Sequence, residues 1–343
     1  MPGGGRDVAS GTFGTGPAGR GRSRRLRARR RGALYESDDF SPDVIAGVSI
    51  GAITAVLLAR PARGLKPLQA LEAFWQKVAV PGLAFPQALR QYASILGNPN
   101  FFVPRLDYLA LPTRTNIYDT APLRQTLAQL VDFEALADRT AVPGLLVSAT
   151  DVEEGQINYF YSRERELSLD HIVASGSLPP SFPMTLIDGK PYWDGGLFDN
   201  TPLGAVLDRL DTAAGVDRTV YVVNLFPNRM PVPRTLLEVT ERVQNLQFSN
   251  KTFEDVKLMR RFDEVAALME ALERLPEGDP LKDSAAYKTV KQRGYVRVPH
   301  IVPITRPEQV GGFDASDFSP ETIEKRAAEG YAQTKQALNR ATA

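Results

Sequence analysis

A glycine-flanked serine, Gly47-Val48-Ser49-Ile50-Gly51, lies between an apolar strand-like run (Val44, Ile45, Ala46) and a helix-like one from Ala52 to Ala59. A G-x-S-x-G string at a strand-to-helix junction constrains the chain tightly. The serine sits on a sharp turn with its Oγ exposed, and the helix start beyond it favours developing negative charge. Gly47 and Gly51 are expected at its flanks because a Cβ would clash in that turn. A second string, Asp194-Gly195-Gly196, supplies a carboxylate on a glycine-rich turn, where the two glycines allow close approach to the elbow. Serine is a weak nucleophile without a neighbouring base. The two strings together point to a serine hydrolase in which Ser49 is the nucleophile and Asp194 the proton acceptor. Burial would have to raise the basicity of that carboxylate, with Tyr192 or Trp193 as the expected apolar cover.

The chain has only two histidines, His171 and His300, so the usual triad is directly testable. In the order Ser…Asp…His, His300 would be the base and Asp194 its orienter. His300 stands in Val-Pro-His-Ile-Val-Pro, a strand-like context, and a structural role is expected for both histidines.

Strand-like and helix-like segments alternate along the chain, which implies an α/β fold with a mostly parallel sheet. Strands are expected at 43–46, 145–150, 156–161, 220–225 and 296–304, with a hairpin turn at Ile187-Asp188-Gly189-Lys190. Helices are expected at 52–60, 68–78, 120–129 and 234–275. The last helix opens at Ser319-Pro320-Glu321, with serine as cap and proline at the first helical position. Residues 81–112 are punctuated by proline and rich in large apolar side chains, as expected of a packed insertion or of a cap over an acyl-chain groove. The proline-containing stretch 227–233 divides a catalytic core, 33–228, from a helical C-terminal extension with a late strand, 229–343.

Among 343 residues the formal net charge is +1, so no global attraction to nucleic acid or anionic lipid is expected. There is no cysteine, hence neither a disulfide nor a thiolate metal site. No apolar run reaches the roughly 18 residues of a membrane span, and no apolar core of a secretory signal is visible, so a cytoplasmic location is expected.

Residues 1–32 differ from the rest: they are rich in Gly and Arg, with eight arginines between Arg20 and Arg31. A disordered basic arm is one reading. A frame-shifted segment is the other. Degenerate codons for Phe13 through Arg30, read one base out of frame, can encode an apolar strand running into a glycine-rich loop with an arginine, the true frame resuming near Arg31 to Ala33. As the chain stands, no strand is expected before Val44, and no residue is assigned to the oxyanion hole.

After residue 33 the chain resembles the patatin-like phospholipases. The strings that carry the resemblance are Asp43 through Ala55 around the elbow, Tyr192-Trp193-Asp194-Gly195-Gly196, Tyr118 through Leu123, and Ala174-Ser175-Gly176-Ser177-Leu178-Pro179-Pro180. Asp317-Phe318-Ser319 and the helix after it resemble an extra region of one bacterial subgroup. The resemblance implies a three-layer α/β/α sandwich with a helical C-terminal appendage. It implies a Ser49–Asp194 dyad that hydrolyses lipid acyl esters of phospholipid or lysophospholipid, with neither a cofactor nor a metal. It leaves open peripheral membrane contact, for which Phe101 and Phe102 are candidates. The family's first strand and GGGxR/K oxyanion loop are absent from the chain as it stands. Two alternatives stand beside hydrolysis: acyl transfer on the same scaffold, and a catalytically impaired interaction protein.

Overall fold

The central sheet takes its order from one long buried strand. The structure, a computed structural model, describes residues 6–10, 32–36, 40–80, 97–107, 113–210, 218–226, 229–294, 298, 300–306 and 317–341. The frame-shift reading of Phe13–Arg30, the arginine run, and residues 81–96 and 108–112 of the apolar insertion lie outside them.

The strands are β1 (Arg6–Ser10), β2 (Pro42–Gly47), β3 (Val103–Pro104), β4 (Tyr118–Asp119), β5 (Gly144–Asp151), β6 (Gln156–Tyr161), β7 (Thr185–Ile187), β8 (Lys190–Asp194), β9 (Arg218–Asn224) and β10 (His300–Thr305). The main sheet runs β10-β9-β1-β2-β5-β8-β7, with β6 on β5, and β3 and β4 form a separate pair. From β10 to β5 every pairing is parallel. Those of β5 with β6, β5 with β8 and β7 with β8 are antiparallel. All eight residues of β5 are buried, which requires apolar cover on both faces.

Residue parity shows the three layers. Ile45, Leu145 and Val147 face helices α1 (Ile50–Ala59), α2 (Pro67–Val78), α3 (Ala121–Ala128) and α5 (Leu169–Ser175), packing on Ile53, Phe74, Leu127 and Ile172. The short helix α4 (Phe133–Ala137) adds Leu136 to this layer. Val44, Ala46 and Leu146 point the other way, onto Leu203 and Val206 of α6 (Leu203–Leu207) and Met259 of α7 (Leu236–Glu273). Helices α8 (Pro280–Asp283) and α9 (Ala285–Gln292) follow, and α10 (Pro320–Ala341) closes the described chain. Among the described residues no helix is long and apolar enough to cross a membrane.

One expectation changes. A strand does precede Val44: β1 lies between β2 and β9, parallel to both. The physical reason is that β2 and β9 would otherwise expose unpaired backbone in the middle of the sheet. The last strand is described over His300–Thr305, and the expected start at 296 lies outside the described residues. The C-terminal extension joins the sheet, because β10 forms its edge against β9. Phe318 continues that integration. Its carbonyl accepts from Val80 N at 3.0 Å, and its ring lies 5.7 Å from that of Phe101. Phe101 and Phe102 are thus taken up by an aromatic cluster with Phe74, Phe182 and Phe318, and Phe102 is buried.

Candidate functional site: a serine facing a buried carboxylate

Two strands that run toward each other along one edge of β5 bring Ser49 and Asp194 together. Leu146 and Val147 pair with β2 and, on their opposite edge, with β6. Ala149 to Asp151 pair with β6 and with β8, so β8 continues the edge that β2 leaves. Gly47 is opposite Val147 and Asp194 is opposite Ala149, two residues along. At about 3.3 Å per residue, the strand ends are separated by roughly 7 Å, and the turn after Gly47 brings Ser49 across that gap.

The elbow has the strained geometry that its sequence requires. Ser49 adopts φ 56°, ψ −124°, a region that non-glycine residues rarely occupy. A Cβ on Gly47 would overlap the carbonyl of Gly51 and stand 2.7 Å from Ala52 N. Gly51 differs from expectation, because a Cβ there would meet nothing within 4 Å. Its place on the pocket wall, rather than steric need in the turn, is what distinguishes it. A Cβ on Gly195 would come within 2.6 Å of Ser148 O, so this glycine lets the Asp194 turn close against β5 rather than against the elbow.

A segment that the sequence marks only as a resemblance string ties the two halves. Ser49 N donates to Ser175 O and to Ser175 Oγ, both at 3.1 Å, and Asp194 N donates to Ser177 O at 3.0 Å. Ser177 Oγ is held in turn by Val173 O at 2.9 Å. The end of α5 therefore fixes both backbones, and its small polar residues are the only sequence signal of that role.

Asp194 is 2% exposed. Its Oδ1 accepts the Gly196 N–H at 2.7 Å, and the Ser49 hydroxyl is its side-chain partner. Burial raises the carboxyl to about 6, and these two hydrogen bonds oppose that rise without cancelling it. The apolar cover is not the expected one. Tyr192 packs into the core against Phe160 with its hydroxyl on Asn158, and Trp193 alternates to the opposite side of β8. Phe226 and Phe248 instead line a cavity of about 170 Å³ together with Ser49 and Asp194.

Neither histidine approaches the serine. His171 is buried, accepts from Ser168 N at 3.0 Å and packs edge-on against Phe160; burial, with help from Arg165, pushes it down to about 4. His300 pairs with Thr219, Thr219 with Asp7, and Asp7 with Pro42. It is therefore level with the start of β2 and three strands away, on the order of 20 Å from Ser49. The triad reading fails on register alone. Among the described residues no group of three His, Asp or Glu side chains is placed to hold a metal ion.

A family described as patatin phospholipase matches residues 246–343. No curated protein matches the chain. Among solved structures, the crystal structure of VipD from Legionella pneumophila is similar at 15% identity and a TM-score of 0.42, covering 98% of this chain and 67% of that one. The family described as patatin-like phospholipase matches residues 26–207, a span that holds the elbow, the strap after α5 and the aspartate turn, and more than half of the sequence. The chain belongs to the patatin-like phospholipase family.

Proposed function

We propose that this chain is a serine acyl hydrolase that cleaves lipid acyl esters, of phospholipid or lysophospholipid type, through Ser49 and Asp194. Family membership carries the general chemistry, lipid acyl-ester hydrolysis. The observation that supports the dyad is a serine hydroxyl facing a buried carboxylate raised to about 6. A carboxylate near its ordinary value is a poor match for a serine proton. One near 6 is more basic, yet still mostly ionised at pH 7.

Asp194 takes the Ser49 proton as Oγ bonds to the ester carbonyl carbon. The tetrahedral intermediate collapses, the C–O bond to the alcohol breaks, and Asp194 returns the proton to the leaving oxygen. Water then attacks the acyl-enzyme, with Asp194 accepting and Ser49 recovering the proton. Ile50 N–H, at the start of α1 with no turn ahead of it to accept it, is one suitable donor for the oxyanion. Peripheral contact with a lipid surface belongs to the same reading. Leu197 and Phe198 directly follow the Asp194 turn and are about half exposed.

The test is hydrolysis of p-nitrophenyl esters by the parent, Ser49→Ala and Asp194→Asn chains. Loss in both variants supports the dyad, and equal rates in all three remove it. Acyl transfer to an added alcohol in preference to water would move the assignment to acyltransferase.

A further inference from the structure

The cavity beside Ser49 is lined in part by two aromatic rings contributed by separate parts of the chain. Phe226 follows β9, Phe248 lies on α7, and their ring centroids are 5.0 Å apart. Phe248 is fixed at its backbone, where its carbonyl accepts from Asn200 Nδ2 at 2.7 Å. Its ring also reaches the aspartate turn. A Cβ on Gly196 would be 3.7 Å from Phe248 Cε1 and 3.1 Å from Asp194 Oδ1. One ring from α7 thus bounds the space in which an acyl group bound to Ser49 must lie. That space, about 170 Å³, is of the size class that admits a benzene-sized guest, for which about 150 Å³ suffices.

We infer that Phe248, backed by Phe226, is a specificity-determining residue that sets the length of acyl chain accepted. This rests on the acyl-hydrolase reading of Ser49 and Asp194. An acyl chain of about six carbons, the carbon count of that benzene-sized guest, is taken within this volume, and a longer one must displace the Phe248 ring. The C–C and C–H surface of a saturated chain suits the remaining wall, where Leu178, Val223 and Leu225 supply apolar contacts.

The experiment compares kcat/KM for p-nitrophenyl hexanoate and decanoate in the full chain and in Phe248→Ala, Phe248→Leu and Phe226→Ala. Phe248→Ala should raise the decanoate-to-hexanoate ratio about tenfold or more, because removal of the ring opens room for several methylenes. Phe248→Leu and Phe226→Ala should shift the ratio in the same direction by less. Rates that fall equally for both esters, with the ratio unchanged, mark the rings as merely structural and overturn the inference. A separate readout uses Ser49→Ala chains with and without Phe248→Leu, scored by thermal shift with hexanoate and decanoate. A move of binding preference toward decanoate supports the acyl wall even if the parent turns over no ester, an outcome that removes only the hydrolase reading. No move in that preference overturns the wall by itself.

Discussion

Asp194 faces the Ser49 hydroxyl from a position almost sealed from water, and the burial that raises its pKa to about 6 also fixes where activity should fall. The base form is the ionised carboxylate. kcat/KM for a soluble ester should therefore be flat above about pH 7 and drop about tenfold per pH unit well below 6. A pH–rate profile checks this, and full activity down to pH 4.5 would remove Asp194 as the base.

The same burial makes Asp194 a stability cost. A carboxyl whose folded pKa lies above its unfolded value favours the protonated state on folding. Its cost is absent below the unfolded value near 4, grows as pH rises, and is complete above about 6. A carboxyl raised from about 4 to about 6 costs about 3 kcal/mol at most. Asp194→Asn should thus abolish hydrolysis yet melt higher than the parent at pH 8, with the gain shrinking toward pH 4. Thermal denaturation across that range is the measurement.

The two elbow glycines should respond in opposite ways. Gly47→Ala drives a methyl into the Gly51 carbonyl and into the backbone near Ala52 N, so it should cost at least about 2 kcal/mol. Gly51→Ala meets no neighbour within 4 Å and lies in the first turn of α1, so its stability should stay within about 1 kcal/mol of the parent, on the stabilising side. Chemical denaturation of the two variants separates steric need from mere motif membership.

Features written in neighbouring residues were legible in the sequence. The elbow follows from an apolar run meeting a glycine-flanked serine, and the Asp188-Gly189 hairpin from two residues that tolerate positive φ, here 51° and 84°. Features set by distant pairing were not. Arg6–Ser10 is short and mixed in character, and becomes a strand only because the sheet has a place between β2 and β9. The meeting of β2 and β8 on one edge of β5 depends on register, which no local pattern carries. Phe248 looks like one more apolar position on a long amphipathic helix until the fold brings it to Asp194.

The histidines provide the last test, because each should fail in its own way. His300 is at the far end of the sheet from the elbow, so His300→Ala should keep kcat within about twofold of the parent, and a collapse of kcat would restore the triad. His171 acts through packing. With its folded pKa pushed down to about 4, below the ordinary value near 6.5, the neutral ring is the one the fold accepts. The stability it contributes is fully present above about pH 6.5 and is lost as pH falls toward 4, by about 3 kcal/mol at most. His171→Ala should therefore lower the melting temperature at pH 7, through lost contact with Phe160 and an unpaired Ser168 N–H. The gap between variant and parent should narrow as both are taken to pH 4, since the parent then bears the cost of charging a buried imidazole and the variant does not. A gap that stays constant over that range would mean that His171 titrates as freely in the folded chain as in the unfolded one.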